Sequence, residues 1–161
     1  MNRIAVAALV LFAGLVQVTW AHGLVVLGVF PNLVLVIAVA MTWNFGMSAG
    51  FACACFGGLF LDLAAPGPLG PHALALLAGA YVAGLWARDV DRSSFMQPAL
   101  AAGLATLVYS AVLVGCDDTL GLATPPPAAG LQLAALAALY NTVVAVPVMV
   151  AIRRAHGEAR A

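Results

Sequence analysis

Hydrophobic residues run through this chain in six long stretches, at residues 4–20, 24–43, 47–64, 72–87, 98–115 and 131–152. The breaks fall at Ala21-His22-Gly23, at Asn44-Phe45-Gly46, in the Gly/Pro run 66–71, across residues 88–97, and across residues 116–130 with Pro125-Pro126-Pro127. A membrane-crossing helix needs about 20 apolar residues, and the stretches are of that order. They predict an all-α membrane protein: a compact bundle of six transmembrane helices forming one integral domain. The second stretch carries an internal start signal. Pro31 suits the first turn of a helix, so that helix is expected to begin near Asn32 and to be short, with residues 21–30 irregular.

Inside the third stretch, small residues recur at every fourth position, Gly46, Gly50, Ala54 and Gly58, and the row ends in Asp62. Positions four apart share one helix face, so the row forms a groove that another helix backbone can approach closely. The fourth stretch has Ala75, Gly79 and Ala83 on one row, with Ala80 and Gly84 beside it. The short connection through 66–71 makes the two helices antiparallel neighbours, and each small face is the natural mate of the other. A helix from another protein is the alternative occupant. Asp62 lies near the C-terminal end of its helix, where an acid opposes the macrodipole. It is expected to accept from backbone N–H groups at Gly67, Leu69 or Gly70 and so pin the turn, or else to contact a partner or ligand.

Composition supports the membrane setting: 65% of residues are hydrophobic and 7% charged, with a mean hydropathy of +1.09, where soluble domains carry ~25% charged residues. All six basic residues are arginine, at Arg3, Arg88, Arg92, Arg153, Arg154 and Arg160. Six crossings place them all on one side, which the positive-inside rule assigns to the cytoplasm together with both termini. Asp62, Asp117 and Asp118 then fall toward the exterior. A cleaved signal peptide is the alternative for the first stretch, with Thr19-Trp20-Ala21 loosely resembling a processing site, but Trp20 and the apolar continuation favour a retained anchor. The Ala-rich composition without lysine suggests a bacterium with a GC-rich genome. Zero net charge offers no surface for nucleic acid.

No catalytic, cofactor or metal site emerges. Cys53 and Cys55 are two apart on a helix and point in roughly opposite directions, and Cys116 lies beyond another span. His22, Asp62, His72, Asp117 and Asp118 share the exterior side, but none are paired at a ligand spacing such as HExxH. No nucleophile and base share a face, which argues against an enzyme. Tyr81 and Trp86 suit the cytoplasmic end of the fourth helix. The loop bearing Arg88, Asp89, Asp91 and Arg92 either pairs with itself or offers a cytoplasmic docking site. Arg153 and Arg154 suit anionic lipid headgroups.

Pro31-Asn32-Leu33 opening an apolar run, then Gly50-Phe51, Gly58-Leu59, Asp62-Leu63, Gly70, Leu74, and Tyr81 with Gly84, together resemble the central signature of the bacterial rod shape-determining MreD family. Tyr140-Asn141 and Pro147, followed by a basic tail, are similar to that family's C-terminal end. The resemblance covers residues 31–90 and, more loosely, the last span. Gly57-Gly58 with Cys53 and Cys55 makes the third span smaller-faced than the family pattern, and the exterior loop at 117–127 is longer. The resemblance implies a multi-pass, non-enzymatic component of the cell-elongation machinery in the bacterial cytoplasmic membrane. It also implies the fold of the substrate-capture subunits of energy-coupling-factor transporters. Implied partners are MreC and, indirectly, the penicillin-binding transpeptidase and the RodA glycosyltransferase of peptidoglycan synthesis, with MreB on the cytoplasmic side. On this reading the small faces of the third and fourth spans hold the bundle and give a partner helix a docking track. A transporter capture subunit is the alternative function; it requires an exterior ligand pocket and a small-x-x-x-small face on the first span, where Ala5, Ala7, Ala8, Ala13 and Gly14 lack partners four away.

Overall fold

A computed structural model describes residues 3–20, 28–88 and 96–158, with side chains described for all of these except 3–10, 20 and 155–158. His22, Asp89, Asp91, Arg92 and Arg160 lie outside the described residues, as do residues 21–27 and the side chain of Arg3. The described residues form six helices: α1 (Arg3–Trp20), α2 (Leu33–Phe45), α3 (Met47–Ala64), α4 (Pro71–Trp86), α5 (Met96–Thr119) and α6 (Pro127–Glu158). Among them α3, α5 and α6 are long and apolar enough to cross a membrane. α2 and α4 are shorter, at 13 and 16 residues.

α2 is the centre of the bundle. It packs against every other helix, and Val34 through Trp43 are all buried, which explains a sequence that is apolar on every face. The other helices surround it and turn large apolar side chains outward, among them Phe12, Phe56, Leu63, Leu131, Leu139 and Val143. So much exposed hydrocarbon is foreign to a water-facing surface and suits lipid.

The start of α2 falls where Pro31 and Asn32 place it, and residues 24–32 do not extend that helix. α5 and α6 outrun the expected spans of 98–115 and 131–152. Gly115 does not stop α5; the stop is Gly121, whose φ of +68° is favoured by glycine. Its N–H bonds the carbonyl of Asp118 and that of Leu122 bonds Asp117, closing a Schellman turn. Cys116, Asp117 and Asp118 are therefore helical, and the expected loop of 116–130 shrinks to residues 120–126. α6 starts at Pro127, where a missing N–H costs nothing.

The small-residue rows are filled from within the chain. A methyl group on Gly50 would overlap Thr42 of α2, and one on Gly58 would overlap the backbone of Ala73 at the start of α4. Ala54 is fully buried. Gly46 is not part of the groove: it forms the corner between α2 and α3 at φ +91°. The rows of α4 face more than α3. Gly79 lies against Ala105 of α5 and Leu35 of α2, and Gly84 against Met47 and Thr42. Ala75, Ala80 and Ala83 have no exposed surface. α3 and α4 are packed neighbours, with Gly58 against Ala73, and neither row is an open track for a foreign helix.

Gly58→Ala is expected to lower the stability of the purified protein by about 1–3 kcal/mol, the usual cost of forcing extra volume into a packed site. Gly115→Ala, with nothing near its added methyl, is expected to leave stability unchanged or raise it by roughly 0.5–1 kcal/mol. Unfolding in mild detergent measures both.

Candidate functional site

α2 begins in the interior at the buried Asn32, and α4 begins at a half-buried turn, Gly70 to His72; each leaves first-turn N–H groups without intrahelical acceptors. α4 is served by Asp62 of α3. One carboxylate oxygen accepts the N–H of Gly70 at 2.9 Å and of Ala73 at 3.2 Å; the other accepts the N–H of His72 at 2.9 Å and its Nδ1 at 2.9 Å. Pro71 between them has no N–H to satisfy, so the carboxylate meets every free donor from Gly70 to Ala73. Gly70 reaches this position at φ +120°, a conformation open chiefly to glycine. Asp62 opposes the dipole of its own helix but complements that of the next. The expected bond to Gly70 is present; the further partners are His72 and Ala73 instead of Gly67 and Leu69.

α2 is served by three amide side chains. Asn32 caps its own helix, its Oδ1 accepting from Leu35 N–H at 3.0 Å. Gln17 of α1 accepts from Val34 N–H at 3.2 Å. Asn141 of α6 accepts from Asn32 N–H at 2.9 Å, and its Nδ2 donates to Thr106 Oγ1 of α5 at 2.9 Å. Thr106 in turn donates to the carbonyl of Ala102 at 2.7 Å. Asn141 is wholly buried, so α1, α2, α5 and α6 meet at one satisfied polar junction.

Between these two helix starts lies a cavity of about 800 Å³. Its polar lining is Gln17, Asn32, His72, Thr106, Tyr109, Ser110 and Asn141; its apolar lining includes Val18, Phe30, Leu61, Leu113 and Leu133. The size falls in the ~300–1,000 Å³ range of small-molecule sites. The rings of His72 and Tyr109 stand 6.4 Å apart at 54°.

Of the titratable residues expected on one side, Asp62 and His72 come together; Asp117 and Asp118 end α5 and are not in that cluster. Among the described residues no three His, Cys, Asp or Glu side chains are grouped to hold a metal. Cys53 is buried and Cys55 half-buried, both as free thiols. Of the residues expected to form a packing or partner face, Gly50, Ala54, Gly58, Asp62, Ala75, Gly79 and Gly84 are interior, whereas Tyr81 is 50% exposed. At the other end of the bundle Trp86 donates its indole N–H to Gln97 at 3.1 Å, tying α4 to α5, and Arg88 reaches Met47 Sδ at 3.4 Å. The cavity and the roles of Gln17, Thr106, Tyr109 and Ser110 escape a reading of the sequence alone. The available signal was the presence of single polar residues inside otherwise apolar spans.

No family model, no curated protein and no solved structure matches the chain.

Asp62→Asn keeps the shape but replaces one acceptor oxygen with a donor facing backbone N–H groups. It is expected to cost about 1–3 kcal/mol of stability, read by unfolding in detergent; unchanged stability contradicts the capping role. At the other junction, a cycle of Asn141→Leu and Thr106→Val is expected to show a coupling of roughly 0.6 kcal/mol, the average for polar pairs between membrane helices.

Proposed function

We propose that the chain is a multi-pass scaffold of the bacterial cell-elongation machinery, of MreD type, that binds MreC in the cytoplasmic membrane. On this reading all six helices cross or enter the bilayer, both termini are cytoplasmic, and the cavity opens in the exterior half. Through MreC the scaffold works with the penicillin-binding transpeptidase, RodA and MreB, and it carries out no reaction of its own.

The observation that carries the reading is where the resembling residues sit. Asn32 and Asp62 cap the starts of α2 and α4, Gly50, Gly58 and Gly84 are close approaches, and Asn141 is the buried junction. The signature therefore consists of residues that this architecture requires, and their chemistry is packing rather than turnover.

Since Gly50 and Gly58 are occupied within the chain, the partner helix is assigned to an outward stripe. Leu74, Tyr81 and Leu85 are exposed along α4 at offsets of seven and four residues, which brings them to one helix face. Tyr81 belongs to the resembling signature and is its exposed aromatic.

The cavity favours a second reading, a substrate-capture subunit of an energy-coupling-factor transporter, which needs such a pocket. Against it, Gly14 is used internally, with the ring of Phe60 at 2.6 Å from where its Cβ would be, and α1 offers no small-residue track to a coupling subunit.

Co-purification from membranes containing MreC is expected to recover both proteins together, and Tyr81→Arg is expected to reduce that recovery about tenfold, equivalent to about 1.4 kcal/mol, with an unchanged melting temperature. Failure of the folded wild-type protein to recover MreC contradicts the scaffold reading. Full recovery with Tyr81→Arg contradicts the α4 stripe. Recovery of ATPase subunits in place of MreC supports the capture subunit.

A further inference from the structure

The cavity has polar groups of two kinds. Those at its floor are spent: Asn141 uses both ends of its amide, and Thr106 both donates and accepts. The Asp62 carboxylate behind His72 already takes four donors. Several wall groups keep unused capacity, the Gln17 amide nitrogen among them, and two of these stand out. Ser110 lines the cavity, and its hydroxyl has no hydrogen-bond partner among the described residues. A carboxylate only accepts, so His72 donates through Nδ1 to Asp62, and its Nε2 has no hydrogen-bond partner among the described residues. His72 also lines the cavity, with its side chain 27% exposed.

Among the described residues, no arginine and no acidic side chain lines the cavity. At the starts of α2 and α4 the N–H groups of Asn32, Val34, Leu35, Gly70, His72 and Ala73 are already engaged by protein acceptors. A charged ligand end would lose its hydration with no opposite charge offered in return. An uncharged hydroxyl loses little, because it can donate to His72 Nε2 and exchange a hydrogen bond with Ser110.

The rim of the cavity shows the direction of access. Val18, Phe30, Val114 and Leu133 line the cavity and are also exposed on the outside of the bundle, so its walls continue into the lipid-facing surface. Among the described residues α1 and α6 both supply walls without packing on one another. Among the described residues, hydrocarbon flanks this gap between α1 and α6, while Pro66 and Pro125 line the cavity toward the loops.

The geometry points to a lateral binding site for a membrane lipid with an uncharged, hydroxyl-bearing end, such as a long-chain alcohol or an acylglycerol. The chain lies along the apolar walls, and the hydroxyl sits between His72 and Ser110. The site stands on the cavity and its groups, not on the scaffold or the capture reading, and loss of lipid binding leaves MreC recovery as a separate question.

The test uses the full chain in nanodiscs of phosphatidylethanolamine and phosphatidylglycerol. Each sample carries a trace of a diazirine-bearing long-chain alcohol, or of the carboxylate or trimethylammonium analogue with the same chain. After irradiation, peptide mapping is expected to place the alcohol on the cavity walls of α5 and α6 about tenfold above either charged analogue, equivalent to about 1.4 kcal/mol. Ser110→Ala is expected to cut that preference roughly fivefold, the worth of about one hydrogen bond. Ser110→Phe should abolish wall labelling; Ala137→Phe, filling the cavity from α6, replaces it if the first variant does not fold. Equal labelling by all three probes overturns the proposal, as does labelling that survives the filling variant. Labelling by a short, water-soluble diazirine alcohol added from solution, with none by the long-chain probe, overturns the membrane source.

Discussion

A helix that starts inside an apolar bundle must find acceptors for its first N–H groups, because neither water nor its own backbone supplies them. Here α2 starts that way and α4 starts at a half-buried turn, and most of their acceptors come from other helices. Asp62 of α3 holds the start of α4; Gln17 of α1 and Asn141 of α6, with Asn32 itself, hold the start of α2. Each cap is therefore also a tertiary contact. Breaking one both frees a helix end and loosens two helices from one another, since a buried unpaired donor costs about 1–3 kcal/mol.

The glycine contacts follow from the same design. α2 is surrounded on all sides, so its neighbours must come close. Gly50 admits Thr42 of α2, Gly58 admits the start of α4 at Ala73, and Gly79 admits Leu35 and the backbone of α5. The Gly58 contact brings α4 to α3 one helical turn below Asp62, which lets a short carboxylate reach Gly70, His72 and Ala73 together. Close packing and capping are two parts of one joint. The cavity lies between the two capped starts, with Asn32 on one side of its lining and His72 on the other.

Much of this was legible in the sequence. The Gly50 to Asp62 row, the start of α2 at Pro31-Asn32 and the use of Asp62 in the following turn all follow from local rules of spacing and turn chemistry. Helix ends at α5 were not, because Gly115 and Gly121 look alike in sequence and differ only in the sign of φ at Gly121. The identity of the helix filling each small face was equally hidden. Gly79 lies on the helix that follows α3 in sequence, yet it faces α5 and α2, and Gly84 meets Thr42 of α2 as well as Met47 of α3, an outcome set by the global arrangement around α2. The polar junction at Asn141 joins residues 109 and 35 positions apart, and no local pattern records such a meeting. Cavities are harder still to foresee, since they are made by where helices stop.

Amide hydrogen exchange of the wild-type protein in nanodiscs reads out whether the caps at the starts of α2 and α4 are made. First-turn amides of an ordinary helix lack intrahelical partners and exchange quickly. Here Gly70, His72 and Ala73 are expected to exchange as slowly as amides in the middle of α4, and Val34 and Leu35 as slowly as the middle of α2. Fast exchange at these five positions, with the rest of both helices protected, would contradict the account.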